Sequence, residues 1–310
     1  MNREVDLEIE GGKLRLKIED GEAKVLSCRL SQGRVTIPDE ADVLNEIQGR
    51  KEKIPITGIE RKAFLSCRQL KEIMLPSHLK EIGDWAFAYC VNLTEVWLPR
   101  RRLVLGKGVF KDCRLLSGVF YLDGLSIAEK QSGRLLGTVP VKLEAEYLFT
   151  PGEAGSQVWI ARYDAKLKEF LHQPDEDGYT KMVYCGEEDI MANMDLYLAE
   201  RRRDKSKLCL IRLMNPAGLK EEFRQELMQY LRDHTKGCES EAAWEVVYGE
   251  HGSEQEYYEM FAEAGCVTEA NYDAILSEMG EQYPEMKGFL MRYHSEKMDK
   301  IDFFDFLSLD

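Results

Sequence analysis

The chain has 310 residues, 44% of them hydrophobic, and a net charge of −14. That hydrophobic content builds real cores, and the length suits one large domain or two ordinary ones. The acidic balance excludes a general nucleic-acid binder, which needs a basic face to neutralise phosphates.

The opening segment, MNREVDLEIEGGKLRLKIED, alternates charged and apolar residues. It has no apolar h-region, so it is not a signal peptide. No run approaches the roughly 18 apolar residues of a membrane helix. Eight cysteines, none in a CxxC pair, predict reduced thiols and a cytoplasmic location. Residues 1–33 are predicted to form β-structure that caps the repeats that follow. Charge divides the chain. Residues 1–150 hold 24 Lys+Arg against 22 Asp+Glu, a net of +2, and residues 151–310 hold 18 against 34, a net of −16. Two domains, 1–150 and 151–310, are expected.

CRQLKEIMLP at 67–76 returns as CVNLTEVWLP at 90–99, an interval of 23 residues. Ala63-Phe64 recurs as Ala86-Phe87 and Val109-Phe110, and Cys67 as Cys90 and Cys113. Leu70, Leu93 and Leu116 share one slot; Ile73, Val96 and Val119 share another. Leu75, Leu98 and Tyr121 keep the same register, as do Ile59, Ile82 and Leu105, followed by Gly83 and Gly106. Alternation within IMLP and VWLP predicts a short strand with one buried face, ended by proline. One such unit cannot cover its own inner face, so units stack about 4.8 Å apart in a parallel ladder. The repeats about 54–122 form a solenoid, and the three equivalent cysteines lie in its core.

IGDWAFAYCVNLTEVWLP, at 82–99, resembles the BspA-like, Treponema pallidum-type leucine-rich repeat of bacteria. RVTIPDE at 34–40, followed by IPITGIERKAF at 54–64, resembles that family's opening unit with a short insertion. The resemblance covers roughly residues 15–122 and implies a curved solenoid. Many members of the family are interaction proteins at bacterial surfaces.

Residues flanking the buried pair of each strand point to the concave face. One outward position reads Thr36, Met74, Trp97 and Phe120; the adjoining one reads Glu72, Glu95 and Gly118. An exposed Met-Trp-Phe stripe marks a contact surface. Two other readings stand beside it: the helical half covers the stripe, or Phe120 belongs to the solenoid's closing cap. Further on, SGRLLGTVPVKLEAEYLF is read as one or two closing strands and TPGEAGSQ (150–157) as a linker.

After Val158 the apolar period becomes helical. Trp159, Ile160, Tyr163, Leu167, Phe170 and Leu171 form one stripe. A run near 187–203 ends in Arg201, Arg202 and Arg203, which suit a helix C-terminus. A third helix covers 219–231. Ser253 with Glu256 reads as a capping box, and Pro284 opens a last amphipathic helix. GCESEAAWEVVYGEHG (237–252) aligns with GCVTEANYDAILSEMG (265–280) at an offset of 28. Stacked helical hairpins are expected, loosely similar to ankyrin repeats but without their TPLH signature. A generic α-helical domain is the other reading.

No catalytic, cofactor or metal site is predicted. His78, His172, His234, His251 and His294 lie in no HExxH motif, and no GxxxxGK[ST] loop occurs. PDEDGY (174–179) lacks the bidentate glutamate of a calcium loop and reads as a solvated acidic turn. Arg100–Arg102 and Arg201–Arg203 are anion-binding candidates set against a solvated turn and a helix end. The tail MDKIDFFDFLSLD, with Phe303, Phe304, Phe306 and Leu307, is read as a last packed helix or a docking segment.

The expectation is therefore an α+β protein: a short leucine-rich-repeat solenoid with an N-terminal β cap, then an acidic domain of helical hairpins. Its function is non-catalytic binding or scaffolding of an unspecified protein partner, through Met74, Trp97, Phe120, Glu72 and Glu95, with no nucleic acid and no membrane insertion. The alternatives are a solenoid-targeted enzyme or effector, with Cys185 or Cys238 near His234 or His251, and a surface adhesin.

Overall fold

The alternation in REVDLEI and GKLRLKIE makes a hairpin, in which β1 (Arg3–Ile9) and β2 (Gly12–Glu19) pair antiparallel and β3 (Glu22–Leu30) adds to β2. A computed structural model describes residues 3–45, 50–123, 126–143, 145–179 and 193–298. The fold is α+β, and contacts divide it into Met1–Leu167 and Lys168–Asp310.

In the first unit each repeat supplies a strand to both of two parallel ladders. One sheet orders β4 (Arg34–Thr36), β7 (Glu72–Met74), β9 (Glu95–Leu98) and β11 (Gly118–Tyr121) side by side, with Val35, Ile73, Val96 and Val119 in register. The other joins β3 to β6 (Arg50–Ile59), β8 (Glu81–Ile82) and β10 (Val104–Leu105). Val25, Ile59, Ile82 and Leu105 are its matching rungs. The 23-residue register read in the sequence is thus the register of the ladders. The insertion at 40–55 is a hairpin of β5 (Glu40–Asn45) with the first half of β6.

Between the ladders the repeats turn, and the turns are bonded to one another. The N–H groups of Lys62, Phe64 and Ser66 donate to the carbonyls of Asp84, Ala86 and Ala88. Trp85, Phe87 and Tyr89 do the same to Lys107, Val109 and Lys111. Two left-handed residues shape each turn: Lys62, Trp85 and Gly108 at one position, Ser66, Tyr89 and Asp112 at the other. Gly83 recurs as Gly106 because the turn of the preceding repeat passes too close for a side chain. A Cβ there would lie 2.6 Å from Arg61 N and 2.3 Å from Asp84 N. Inside, Phe64, Phe87 and Phe110 stack at 4.9 and 5.4 Å, and Phe149 closes the column at 5.3 Å.

The segment after the last repeat departs from the sequence reading. It holds a helix, α1 (Ile127–Thr138), and a 3₁₀ turn (Glu146–Leu148), not closing strands. Ser126 and Glu129 form a full capping box that starts α1. TPGEAGSQ is no linker, because its turn is bonded in place: the Tyr121 hydroxyl donates to the Pro151 carbonyl. The sequence reading divides the chain at 150/151, whereas the contacts divide it at 167/168, within α2 (Gln157–His172). Trp159 Nε1 donates to the Leu148 carbonyl at 2.8 Å, and the Tyr163 hydroxyl meets Thr138 Oγ1 at 2.9 Å.

The second unit is helical throughout its described residues. Its main elements are α3 (Met194–Met214), α4 (Glu221–Asp233) and α5 (Ala242–Trp244), which runs into a π turn at Glu245–Glu250. Then come α6 (Gln255–Glu263), α7 (Tyr272–Met279) and α8 (Pro284–Tyr293). Leu208, Leu213, Leu227, Leu231, Trp244, Tyr258, Phe261 and Leu290 are buried in its core. The two copies of the 28-residue pattern are tied together. Trp244 Nε1 donates to Glu278 Oε2 at 2.9 Å, and Asn271 Nδ2 donates to the Lys236 carbonyl at 3.1 Å. Ser253 and Glu256 do not cap α6. The helix starts one residue later than the motif requires, and Glu254, at its N-cap, makes no capping bond.

The fourfold thiol column is the chemical feature of the first unit. Cys90 and Cys113 donate to the carbonyls of Phe64 and Phe87, each at 3.0 Å. Cys28 on β3 extends the series by bonding to Cys67. The Cys28 S–H and the N–H groups of Leu70 and Gln69 together pull the Cys67 thiol below its ordinary value, although burial works against them. The same bond, with burial, pushes Cys28 up. Cys67 is half-buried, whereas Cys90 and Cys113 are buried. Iodoacetamide should therefore modify Cys67 well before Cys90 and Cys113 at pH 7. Its rate should rise towards a plateau at lower pH than that of an ordinary thiol, because the thiolate is the nucleophile. In Cys28→Ala the plateau should move to higher pH. Peptide mapping by mass spectrometry across pH 5–9 checks both.

Candidate interaction face

The outward side of the four-stranded sheet carries two rows of side chains, set by the alternation of each strand. The first row is Arg34, Glu72, Glu95 and Gly118; the second is Thr36, Met74, Trp97 and Phe120. All five residues expected from the sequence are thus brought together on one face. Arg34 grips Glu72 with two bonds, Nε to Oε2 at 2.6 Å and Nη2 to Oε1 at 2.8 Å. Thr36 Oγ1 lies 3.6 Å from Met74 Sδ, and Trp97 Nε1 donates to Glu95 Oε2 at 3.3 Å. The rings of Trp97 and Phe120 meet at 5.2 Å with a 48° tilt.

Exposure falls along the second row. Met74 is 37% exposed, Trp97 is half-buried and Phe120 is 9% exposed. Phe120 is therefore not available as an open contact residue, and its expected place in a solvent-facing stripe is corrected. Its cover is α1. Gly133 and Gly137, one helical turn apart, let that helix lie directly on β11. A Cβ on Gly133 would stand 2.5 Å from the Val119 carbonyl and 2.8 Å from Phe120 Cδ1. A Cβ on Gly137 would stand 2.9 Å from Gly118 N. Gly118 interrupts the glutamate row for a related reason: the Phe120 ring fills the space its Cβ would take, at 2.3 Å.

Arg100 anchors α1. It is bonded to Asp123 and Glu129 and lies 4.4 Å over the Tyr121 ring. This is a structural role for the first basic cluster, and Ser126 holds Glu129 in place as the cap. Bonds from the Ser126 N–H and hydroxyl, then from Arg100, keep the Glu129 carboxyl below its usual value.

The second basic cluster stands in the middle of α3, not at a helix C-terminus, because the helix continues to Met214. Arg201 stacks 4.0 Å over Phe170, Arg202 reaches Asp175 at 2.8 Å, and the buried Lys205 reaches Asp175 at 2.7 Å. PDEDGY is consequently an anchored turn: Asp175 is a structural counter-ion rather than a solvated acid. Burial raises its pKa, but Lys205 and Arg202 outweigh that and hold it below the usual range.

Cys238 and the two histidines of the alternative enzyme reading each have another hydrogen-bond partner. The Cys238 thiol donates to the Arg232 carbonyl at 3.4 Å. His234 Nδ1 donates to the Tyr230 carbonyl at 2.8 Å, and His251 Nδ1 meets Glu254 Oε1 at 2.9 Å. Among the described residues no hydrogen bond joins Cys238 to either histidine. Cys185 and the tail with Phe303, Phe304, Phe306 and Leu307 lie outside the described residues. Among the described residues no helix is long and apolar enough to cross a membrane.

Residues 44–132 match the family model of the BspA type leucine-rich repeat region, in six copies. The repeat segment is of that bacterial type. Among solved structures, the chain is similar to a leucine-rich repeat protein from Bacteroides capillosus. That match has 25% identity and a TM-score of 0.30, over 36% of this chain and 78% of that one. A leucine-rich cell surface protein from Faecalibacterium prausnitzii matches at 19% identity and a TM-score of 0.29, over 38% of this chain and 30% of that one. The Treponema pallidum leucine-rich repeat protein matches at 21% and 0.29, over 34% and 46%. No curated protein matches the chain.

The two ends of the outward row should respond differently to truncation. Phe120→Ala should cost about 3–5 kcal/mol, the range for a buried phenylalanine. Met74→Ala should stay within about 0.5 kcal/mol, as for a surface residue. Urea unfolding followed by circular dichroism checks the contrast; equal losses would show that Met74 is also core.

Proposed function

We propose that this protein is a non-catalytic interaction module or scaffold that takes a protein partner on the outward face of the four-stranded sheet. The observation that carries this reading is the partial cover: α1 buries Phe120 and leaves Met74 37% exposed in the same row. Trp97 lies between them, half-buried and held by Glu95. A tryptophan fixed in place, beside a flexible thioether and a rim of Arg34, Glu72 and Glu95, has the make-up of an interface hot spot. Its ordering cost on binding is low, because the strands below it are already rigid.

We read the two ladders and the bonded turns as one solenoid, a form that suits broad, stiff binding surfaces. The 28-residue correspondence in the second unit is read as stacked helical hairpins. The BspA-type repeats support the binding class by analogy of family. The proposal concerns the face itself and holds for a partner met inside the cell or at its surface.

The test is capture from a lysate of the source bacterium, with wild type and a Met74→Ser/Trp97→Ser variant whose melting curve matches wild type. A protein retained by wild type and weakened about 30-fold by the variant, the equivalent of a 2 kcal/mol hot spot, is expected. Equal retention by both would move the interface elsewhere.

A further inference from the structure

The N-terminal β-structure of the first unit leaves a slot. Among the described residues, β1 pairs with β2 on one side only, and β5 pairs with β6 on one side only. Their other edges border a groove of about 350 Å³, lined by Arg3–Leu7 and Ala41–Leu44. Consecutive residues of both strands line it, those pointing in and those pointing out. It therefore runs along strand edges rather than over a sheet face. The Leu44 carbonyl turns away from the β5–β6 hairpin into this gap, where it accepts from Arg3 Nη2 at 2.8 Å. Among the described residues no backbone hydrogen bond joins β1 to β5.

We propose that this groove takes a short extended peptide, alternating apolar and basic residues, that pairs backbone to backbone with the free edge of β1 and fills the space up to β5. The chain itself displays the matching pattern. On its occupied edge β1 is paired by KLRLKI of β2, whose Leu14, Leu16 and Ile18 are buried beside Leu7, Val5 and Arg3 respectively. On the opposite face Lys13 lies 3.3 Å from Asp6 and 3.0 Å from Glu8, and Arg15 lies 3.3 Å from Asp6.

A strand on the free edge meets the same two faces. Val5 and Leu7 are only half-buried there, where the facing residues of β2 are fully covered. Leu44 is 53% exposed at the opposite rim. The outward side carries Glu4, Asp6 and Asp42, of which Asp6 is already paired with Lys13 and Arg15; Arg3, the cation of the lining, shares the face of Val5 and Leu7. Among the described residues no ion pair engages Glu4 or Asp42. A second copy of β1 is a poor occupant, because its own Glu4, Asp6 and Glu8 would face like charges. The volume is at the low end of the ~300–1,000 Å³ of ligand pockets, which suits a segment of a few residues.

The probe is a fluorescent peptide with the sequence of residues 12–19, GKLRLKIE, titrated against the full chain and followed by anisotropy. Saturable binding is expected, weakened about tenfold or more by Glu4→Lys/Asp42→Lys. The same peptide with Leu14→Pro and Leu16→Pro keeps its charge but cannot pair, and should not bind. Hydrogen exchange should show new protection at β1 and at Val43–Leu44. Four results would overturn the proposal: no saturable binding, equal binding of the proline peptide, indifference to the charge reversal, or protection confined to β3. Equal binding of the proline peptide would reveal attraction to the acidic chain alone. Protection confined to β3 would mean that the peptide displaces β2.

Discussion

A repeat of 23 residues cannot cover itself, and that constraint organises the first unit. Each coil has one apolar inner face, two short strands and a turn, and each needs a neighbour on both sides. Interior coils find one: Phe87 lies between Phe64 and Phe110, and Ile73, Val96 and Val119 bury one another in register. The difficulty moves to the ends, where a parallel ladder would stop with open backbone groups and an uncovered core. The chain meets it with different elements. At the start, β3 pairs parallel with β6 and antiparallel with β2, so it converts the ladder into a hairpin sheet. At the finish, α1 lies on β11 through Gly133 and Gly137, and Phe149 closes the phenylalanine column.

How the finish is made decides what the outward face can do. A helix that lay across the whole sheet would remove the face from use. Here α1 is short, its contact is with β11, and its glycines set it so low that Phe120 is buried beneath it. The next rung, Trp97, is braced by Phe120 on one side and Glu95 on the other. Capping thus orders the exposed part of the row as well as hiding the rest, which links an end-closure problem to the proposed binding surface.

The repeats were legible because their spacing is a physical register: residues 23 apart become neighbours across a ladder. Legibility ended where that interval changed. LSCR at 26–29 returns as LSCR at 65–68, so Cys28 is the counterpart of Cys67. The β5–β6 insertion stretches the interval to 39 and hides the match. The closing helix was missed because GRLLGTV is a short apolar run that fits strand or helix equally. The Ser126–Glu129 capping box was the signal that would have separated them. The same motif at Ser253–Glu256 forms no cap, so the pattern alone is not sufficient. In the second unit the helical period was readable. The roles of Arg201–Arg203 and Asp175 were not, because they depend on which turns meet. Nothing in a linear spacing shows that a buried lysine at 205 needs the carboxylate at 175.

Edges, more than cores, distinguish the surfaces of the first unit. A free strand edge is a hazard, and charge is one way to guard it. β1 sets Glu4, Asp6 and Glu8 outward, and β5 sets Glu40 and Asp42 outward, so like edges of two copies repel. Such a guard is selective rather than absolute. It turns away acidic strands and leaves hydrogen-bonding groups available to a basic one, the kind of strand that β2 already supplies on the other side. The repeat sheet shows a different choice: its outward polar groups are engaged with each other, Arg34 in an ion pair with Glu72 and Glu95 accepting from Trp97. One surface offers the unmet charge of Glu4 and Asp42 beside an open backbone, and the other offers apolar contact in a hydrogen-bonded polar rim. The two proposed surfaces therefore suit partners of different chemistry.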